Sequence, residues 1–172
     1  MATAMRALIL GASSALVLGL APPTSAADAT RTDPRGDAAA KYDLLSGKYV
    51  NSAQAFSVNA KVANLQNVTT QVRVSFATPA MKRRNSQFEV YAKRARGGAR
   101  TKVLYSRSGG TWDRLNCSGL RATWKLDQDR FVVRVPQACL GEGVGKQTAY
   151  TSIGLPNREF ADTLTRTVVR YR

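Results

Sequence analysis

The sequence contains no histidine in its 172 residues. Without an imidazole, neither a Ser-His-Asp triad nor a Cys-His pair can be assembled, and zinc sites lose their usual nitrogen ligand. Two carboxylates could still carry out glycoside hydrolysis, but Glu89, Glu142, Glu159 and the aspartates stand in no recognisable motif. We therefore expect a protein that is not an enzyme, with no catalytic residues and no cofactor.

Long apolar runs are also lacking, except at the N-terminus. The fourteen-residue run 7–20 follows Arg6 and precedes Pro22-Pro23 and the small residues 24–26. This order is typical of a secretory signal peptide, and the run is shorter than the roughly twenty residues that a membrane-spanning helix needs. We predict a signal peptide over residues 1–26, export to the extracellular space, and no transmembrane segment.

Cysteine is scarce, with only Cys117 and Cys139. In an exported chain, an even number of cysteines favours a disulfide over a metal site or a catalytic thiol. Two buried free thiols, or a bond between chains, are the alternatives. Closing a loop of this length would stabilise the fold by about 3 kcal/mol through the entropy of the unfolded chain.

Acidic residues are few compared with basic ones. Without Arg6, the remaining 25 Lys and Arg against 11 Asp and Glu leave a net charge of about +14. Such a field attracts polyanions with little selectivity; keeping a secreted protein soluble is the alternative role.

Many of the basic residues fall into two clusters, and arginine there can form paired hydrogen bonds with phosphates or carboxylates. We predict that these residues bind polyanions; the alternative is a solvated, mobile hairpin tip that prevents edge-to-edge aggregation. The first basic cluster is Lys82, Arg83 and Arg84, and the second is Lys93, Arg94, Arg96, Arg100 and Lys102.

One acidic cluster, Asp33, Asp37 and Asp43, stands near the start of the mature sequence. Oxygen ligands on a loop can hold Ca²⁺, but this spacing is not that of an EF-hand. We expect a solvated acidic segment and no metal site, with calcium binding as the alternative.

Alternation of apolar and polar residues dominates the sequence after residue 40. The clearest cases are residues 56–62, 70–76, 120–126 and 131–135. This period of two is typical of half-buried β-strands, and with weaker segments it indicates about nine strands without intervening helices. We predict an all-β fold, an antiparallel β-sandwich of jelly-roll or immunoglobulin-like type over residues 41–172, with a closed barrel as second choice. Residues 27–40 have no apolar period and are expected to form a flexible N-terminal lead-in.

Two glycines between apolar segments predict a hairpin. Residues 88–92 and 103–106 flank Gly97-Gly98, which signals a hairpin with the basic clusters at its opposite ends.

Trp112 and Tyr105 fall outside the clean alternation and could supply exposed stacking surface, although core positions are favoured for both. Trp124 is assigned to the core. Outward cations on three alternating strands would form one cationic face if those strands were neighbours: Arg73, Arg121, Lys125 and Arg134.

Two short motifs carry a family resemblance. Asp33-Pro34-Arg35-Gly36-Asp37 opens the mature region, and Pro136-Gln137-Ala138-Cys139-Leu140-Gly141 follows a strand-rich middle that holds the partner cysteine. In this arrangement the chain resembles a group of uncharacterised small secreted proteins of actinobacteria. The resemblance implies a β-sandwich similar to carbohydrate-binding modules and implies no catalytic residues.

These observations predict a secreted, non-enzymatic β-sandwich whose cationic surface contacts an anionic envelope polymer or polysaccharide. We expect a monomer with no specific nucleic-acid partner. A carbohydrate-binding module, which needs a planar set of exposed aromatic residues, is the first alternative. A small hydrolase that uses two carboxylates, or a secreted toxin, is the other.

Overall fold

The computed structural model describes residues 27–141 and 144–171. The predicted signal peptide and Glu142 lie outside these residues. Within them, no helix is both long enough and apolar enough to cross a membrane. The chain forms these elements in order: β1 Ala27–Thr32, β2 Leu44–Asn51, β3 Ala55–Val62, β4 Thr70–Ala77, α1 Pro79–Arg83, β5 Ser86–Arg94, β6 Arg100–Ser108, β7 Thr111–Leu115, β8 Arg121–Lys125, β9 Arg130–Pro136, β10 Gln147–Gly154 and β11 Phe160–Val169.

The strands make two antiparallel sheets, which confirms the predicted β-sandwich. The five-stranded sheet has the order β1-β2-β3-β9-β8, and the six-stranded sheet has the order β11-β10-β4-β5-β6-β7. The described residues contain eleven strands rather than about nine. The hairpin predicted around Gly97-Gly98 is the β5–β6 pair, in which Arg94 lies opposite Arg100.

The core lies between the sheets and follows the alternation read from the sequence. Phe56 on β3 and Phe76 on β4 stack across the interface with ring centroids 4.4 Å apart, and Phe88 on β5 packs against Phe76 at 5.5 Å. Trp124 is buried among these apolar side chains, as predicted. Because one face of each sheet is buried, the register of each strand decides which side chains reach the opposite, outer face.

The expected flexible lead-in, residues 27–40, differs from the structure in its first part. Residues 27–32 form strand β1, which pairs with β2 along its whole length, and Asp33 N–H donates to Leu45 C=O at 3.0 Å. An edge strand is held by main-chain hydrogen bonds, so small polar side chains can form one without an apolar period.

The predicted disulfide between Cys117 and Cys139 is present, with Cα atoms 5.3 Å apart. Cys117 lies in the segment where the chain passes from β7, at the edge of the six-stranded sheet, to β8 in the other sheet. Cys139 lies in a 3₁₀ turn after β9. The bond therefore fixes a crossover between the sheets.

Candidate ligand-binding groove

A groove of about 750 Å³ lies on the outer face of the six-stranded sheet. The pairing of β4, β5 and β6 places Tyr91 between Arg73 and Val103 on this face, while Val90 and Leu104 point into the core. The turn between β10 and β11 forms one side of the groove. Its lining residues are Gln71, Tyr91, Lys93, Thr101, Lys102, Val103, Tyr105, Trp112, Arg114, Asn157, Arg158 and Phe160.

Three aromatic side chains form one wall. Tyr91, Tyr105 and Trp112 contact each other edge to face, with centroids 5.8–6.2 Å apart and interplanar angles of 63–88°. Trp112, at 42% exposure, is the most open of the three. The core position favoured from the sequence is wrong for Trp112, which is exposed on the outer face. The sequence analysis assigned no surface role to Tyr91, because only the strand register shows which face Tyr91 occupies. The rings do not form the flat platform that the carbohydrate-module alternative required.

Cationic side chains surround this wall. Lys93, Lys102, Arg114 and Arg158 line the groove, and the guanidinium of Arg107 lies 5.3 Å from the centre of the Trp112 ring. No Asp or Glu belongs to the lining formed by the described residues. The groove therefore combines apolar ring surface with positive charge, a combination suited to an anionic ligand that also has an apolar face.

A buried polar group lies beneath the aromatic wall. Glu89, only 2% exposed, accepts a hydrogen bond from Gln87 through Oε1, and its Oε2 has no partner among the described residues. Burial raises the pKa of the Tyr91 hydroxyl, the neighbouring Glu89 raises it further, and Arg73 opposes the shift. Arg73 itself lies over the rings of Phe160 at 4.5 Å and Tyr150 at 5.4 Å. These contacts hold the groove floor in place, and they leave the single carboxylate below the lining rather than across a cleft from a second one.

The second basic cluster is split by the hairpin. Lys93 and Lys102 line the groove, and Arg96 and Arg100 are exposed at the hairpin tip. Arg94 is only 6% exposed, and its Nη2 donates to Asn67 Oδ1 at 2.8 Å. Arg94 shares its strand face with the buried Ala92, so its side chain is turned away from solvent. The sequence-based assignment of Arg94 to a ligand surface does not fit this position.

The first basic cluster lies at the other end of β5, as the hairpin predicted. Lys82, Arg83 and Arg84 are exposed on and just after α1. Lys82 lines a second cavity of about 270 Å³, together with Arg107 and Arg166. Lys82 thus shares a cavity with Arg107, which contacts Trp112 of the aromatic wall, whereas Arg83 and Arg84 belong to the lining of neither cavity.

Three of the four residues proposed for a cationic face, Arg121, Lys125 and Arg134, lie on neighbouring strands of the five-stranded sheet, whereas Arg73 lies on the other sheet. Arg121 lies opposite Arg134, and Lys125 opposite Arg130, on neighbouring strands β8 and β9. The side chains of Arg121, Lys125 and Arg134 are exposed. Like charges placed directly opposite each other repel, and a bound anion would reduce this repulsion. The strand residues of this face include no exposed aromatic ring.

The acidic cluster gains a member that the sequence analysis did not include. Asp33 and Asp37 lie beside Asp162 of β11, and Asp43 is buried next to them. No local sequence signal could have linked Asp162 to residues more than a hundred positions earlier.

Comparison of the sequence with known protein families gives no match, and comparison with curated proteins gives none either.

Proposed function

We propose that this chain is a secreted, non-enzymatic binding protein that holds an anionic polysaccharide in the groove of its six-stranded sheet. The observation that carries the proposal is the wall of Tyr91, Tyr105 and Trp112 placed among groove-lining cations. Secretion is supported by the apolar run near the N-terminus and by the disulfide, since such bonds persist in oxidising compartments.

The groove offers each part of an acidic sugar a matching group. The ring of Trp112 can cover the apolar face of a sugar, and Lys93, Arg114 and Arg158 can pair with its carboxylate or sulfate groups. Gln71 and Asn157 supply amides for hydroxyl groups. A groove with rings set edge to face suits a single polymer chain rather than a flat crystalline surface.

Isothermal titration of the purified protein with polygalacturonate, and with neutral dextran of matched length, tests this proposal. We expect binding to the acidic polymer and a much weaker response to the neutral one. Trp112→Ala should lower the affinity at least tenfold, because this ring supplies the most open surface of the wall. Tyr171→Ala, which removes an aromatic ring of similar exposure near the far end of β11, should leave binding unchanged.

A second comparison separates the groove from general charge attraction. Lys93→Gln with Arg114→Gln should weaken binding far more than Arg83→Gln with Arg84→Gln, although each pair removes two charges. Equal losses would show diffuse attraction and contradict the proposal. Tighter binding of single-stranded DNA than of polygalacturonate would overturn it, since stacked bases would then be the preferred ligand.

The aromatic wall also favours a second candidate, the binding of a neutral carbohydrate. Equal affinity for dextran and polygalacturonate, lost in Trp112→Ala but kept in the Lys93→Gln and Arg114→Gln variant, would support this alternative.

A further inference from the structure

Three carboxylates converge where the edges of the two sheets meet. Asp33 follows β1, Asp37 lies in the next loop, and Asp162 lies in β11 of the other sheet. One carboxylate oxygen of each lies within 4.8 Å of the others. The chain has 26 basic and only 11 acidic residues, so its composition does not account for three carboxylates lying this close together.

A fourth carboxylate, Asp43, is buried against this group. It is 2% exposed, and its Oδ2 accepts a hydrogen bond at 2.9 Å from the N–H of Gly36, within the loop that carries Asp33 and Asp37. Its Oδ1 is buried and has no hydrogen-bond partner among the described residues. Leaving a buried carboxylate oxygen unpaired is unfavourable, so this atom points to a missing partner.

Among the described residues, no basic side chain forms an ion pair with this group. The described residues contain one ion pair, between Lys48 and Asp28 at 2.6 Å, and none of the four clustered aspartates takes part in one. Burial raises the pKa of Asp33, the charges of Asp162, Asp37 and Asp43 raise it further, and the charge of Arg31 opposes the shift. Asp162 also has a raised pKa, mainly through burial, although backbone N–H groups oppose the shift. These carboxylates thus repel one another at neutral pH.

We propose that Asp33, Asp37 and Asp162, with the buried Asp43 beside them, form a Ca²⁺ site that ties the edge of one sheet to the edge of the other. Ca²⁺ is bound by oxygen ligands at about 2.3–2.6 Å, so two oxygens that share it lie up to about 5 Å apart. The carboxylate oxygens of Asp33, Asp37 and Asp162, which lie within 4.8 Å of one another, meet this limit.

Asp162 is already oriented for this role. Its Oδ2 accepts from the N–H of Leu44, at the start of β2, and its Oδ1 from the N–H of Thr163, both at 2.6 Å. The side chain therefore spans from β11 to β2 before any ion binds. A cation bound by Asp162 and by the loop of Asp33 and Asp37 would strengthen the contact between the two sheets.

Calorimetric titration of the chelator-treated protein with CaCl₂, together with thermal unfolding in EDTA and in Ca²⁺, tests the site. We expect a dissociation constant of about 10⁻⁴–10⁻³ M or tighter, the range of extracellular modules, and a higher Tm in Ca²⁺. Asp37→Asn should weaken Ca²⁺ binding at least tenfold while the protein stays folded in EDTA, because this exposed side chain makes no hydrogen bond that the fold requires. Asp127→Asn, an exposed aspartate in the turn between β8 and β9, is the matched control and should bind like the parent.

Three results would overturn the site. The first is no heat and no Tm change up to about 10 mM Ca²⁺, tenfold above the weakest constant expected of such modules. The second is equal weakening in Asp37→Asn and Asp127→Asn, which would show screening of general charge. The third is an identical response to Mg²⁺ at equal concentration, which would show general attraction of divalent cations rather than a Ca²⁺ site.

Discussion

Individual residues in this protein take their roles from the strand face on which they fall. Lys93 and Arg94 are adjacent and carry the same charge, yet Lys93 lines the groove and Arg94 is buried against Asn67. The basic cluster was predictable from the sequence, and so was the hairpin. The division of the second basic cluster between two strand faces could not be predicted from charge. Alternation shows which residues share a face, but it does not show which face is buried unless one core residue is already known.

Gly47 shows how closely the two sheets approach. A Cβ at this position would lie 2.6 Å from Cδ1 of the buried Leu164 on the other sheet. We expect Gly47→Ala to lower the free energy of unfolding by about 1–3 kcal/mol through overpacking, measured by denaturant titration. Gly97→Ala is the control, since a Cβ there meets nothing within 4 Å; a similar loss in both variants would mean that glycine flexibility, not space, sets the effect.

Asp33 predicts a pH effect with a definite sign. Its raised pKa means that the folded state binds this proton more tightly than the unfolded state does. The contribution of Asp33 to stability is therefore lost as the pH rises from 3.8, the usual pKa of this group, through the raised pKa of the folded state. In EDTA at neutral pH, Asp33→Asn should therefore have a higher Tm than the parent. The difference should close as the pH falls to about 3.8 and below, where the parent Asp33 is protonated. Thermal unfolding across pH checks this, and a difference that widens on acidification would contradict it.

At the scale of elements, the disulfide restrains one of the connections between the two sheets. The six-stranded sheet passes to the five-stranded sheet through residues 116–120, and the disulfide attaches this passage to the turn after β9. The bond encloses β8, β9 and the turn between them. It therefore restrains an edge strand, β8, that pairs on one side only.

Replacing both cysteines, Cys117→Ser with Cys139→Ser, should lower the free energy of unfolding by about 3 kcal/mol, since the enclosed loop regains its freedom in the unfolded chain. Chemical denaturation checks this value. Reduction of the parent protein should give the same loss, and a double variant as stable as the oxidised parent would show that the bond does not constrain the unfolded chain.

Strand β1 could not be predicted from the alternation of apolar and polar residues. Its residues carry no apolar alternation, and main-chain pairing to β2 is what makes them a strand. The strongly alternating β3, β4, β8 and β9 were predictable, because burial of one face dictates their side chains. An edge strand in solvent leaves no such trace in the sequence.

For the whole molecule, the excess of positive charge should determine how binding responds to salt. The Debye length falls from about 10 Å at 0.1 M to 3 Å at 1 M ionic strength, so attraction from cations outside the groove is screened first. We expect the affinity for polygalacturonate to fall severalfold over this range, with residual binding that depends on Trp112. Titrations at both salt concentrations check this; an affinity independent of salt would show that charge does not contribute.

The amino-acid sequence alone predicts the fold class and the disulfide pair and excludes histidine chemistry, because apolar period, cysteine number and composition can be read without coordinates. Which residues meet depends on the tertiary structure. Tyr91 joins Trp112 because three strands pair in one register, and Asp162 joins Asp33 because the edges of two sheets come together. Contacts between residues far apart in the chain depend on strand order and register, and neither leaves a periodic signal in the amino-acid sequence.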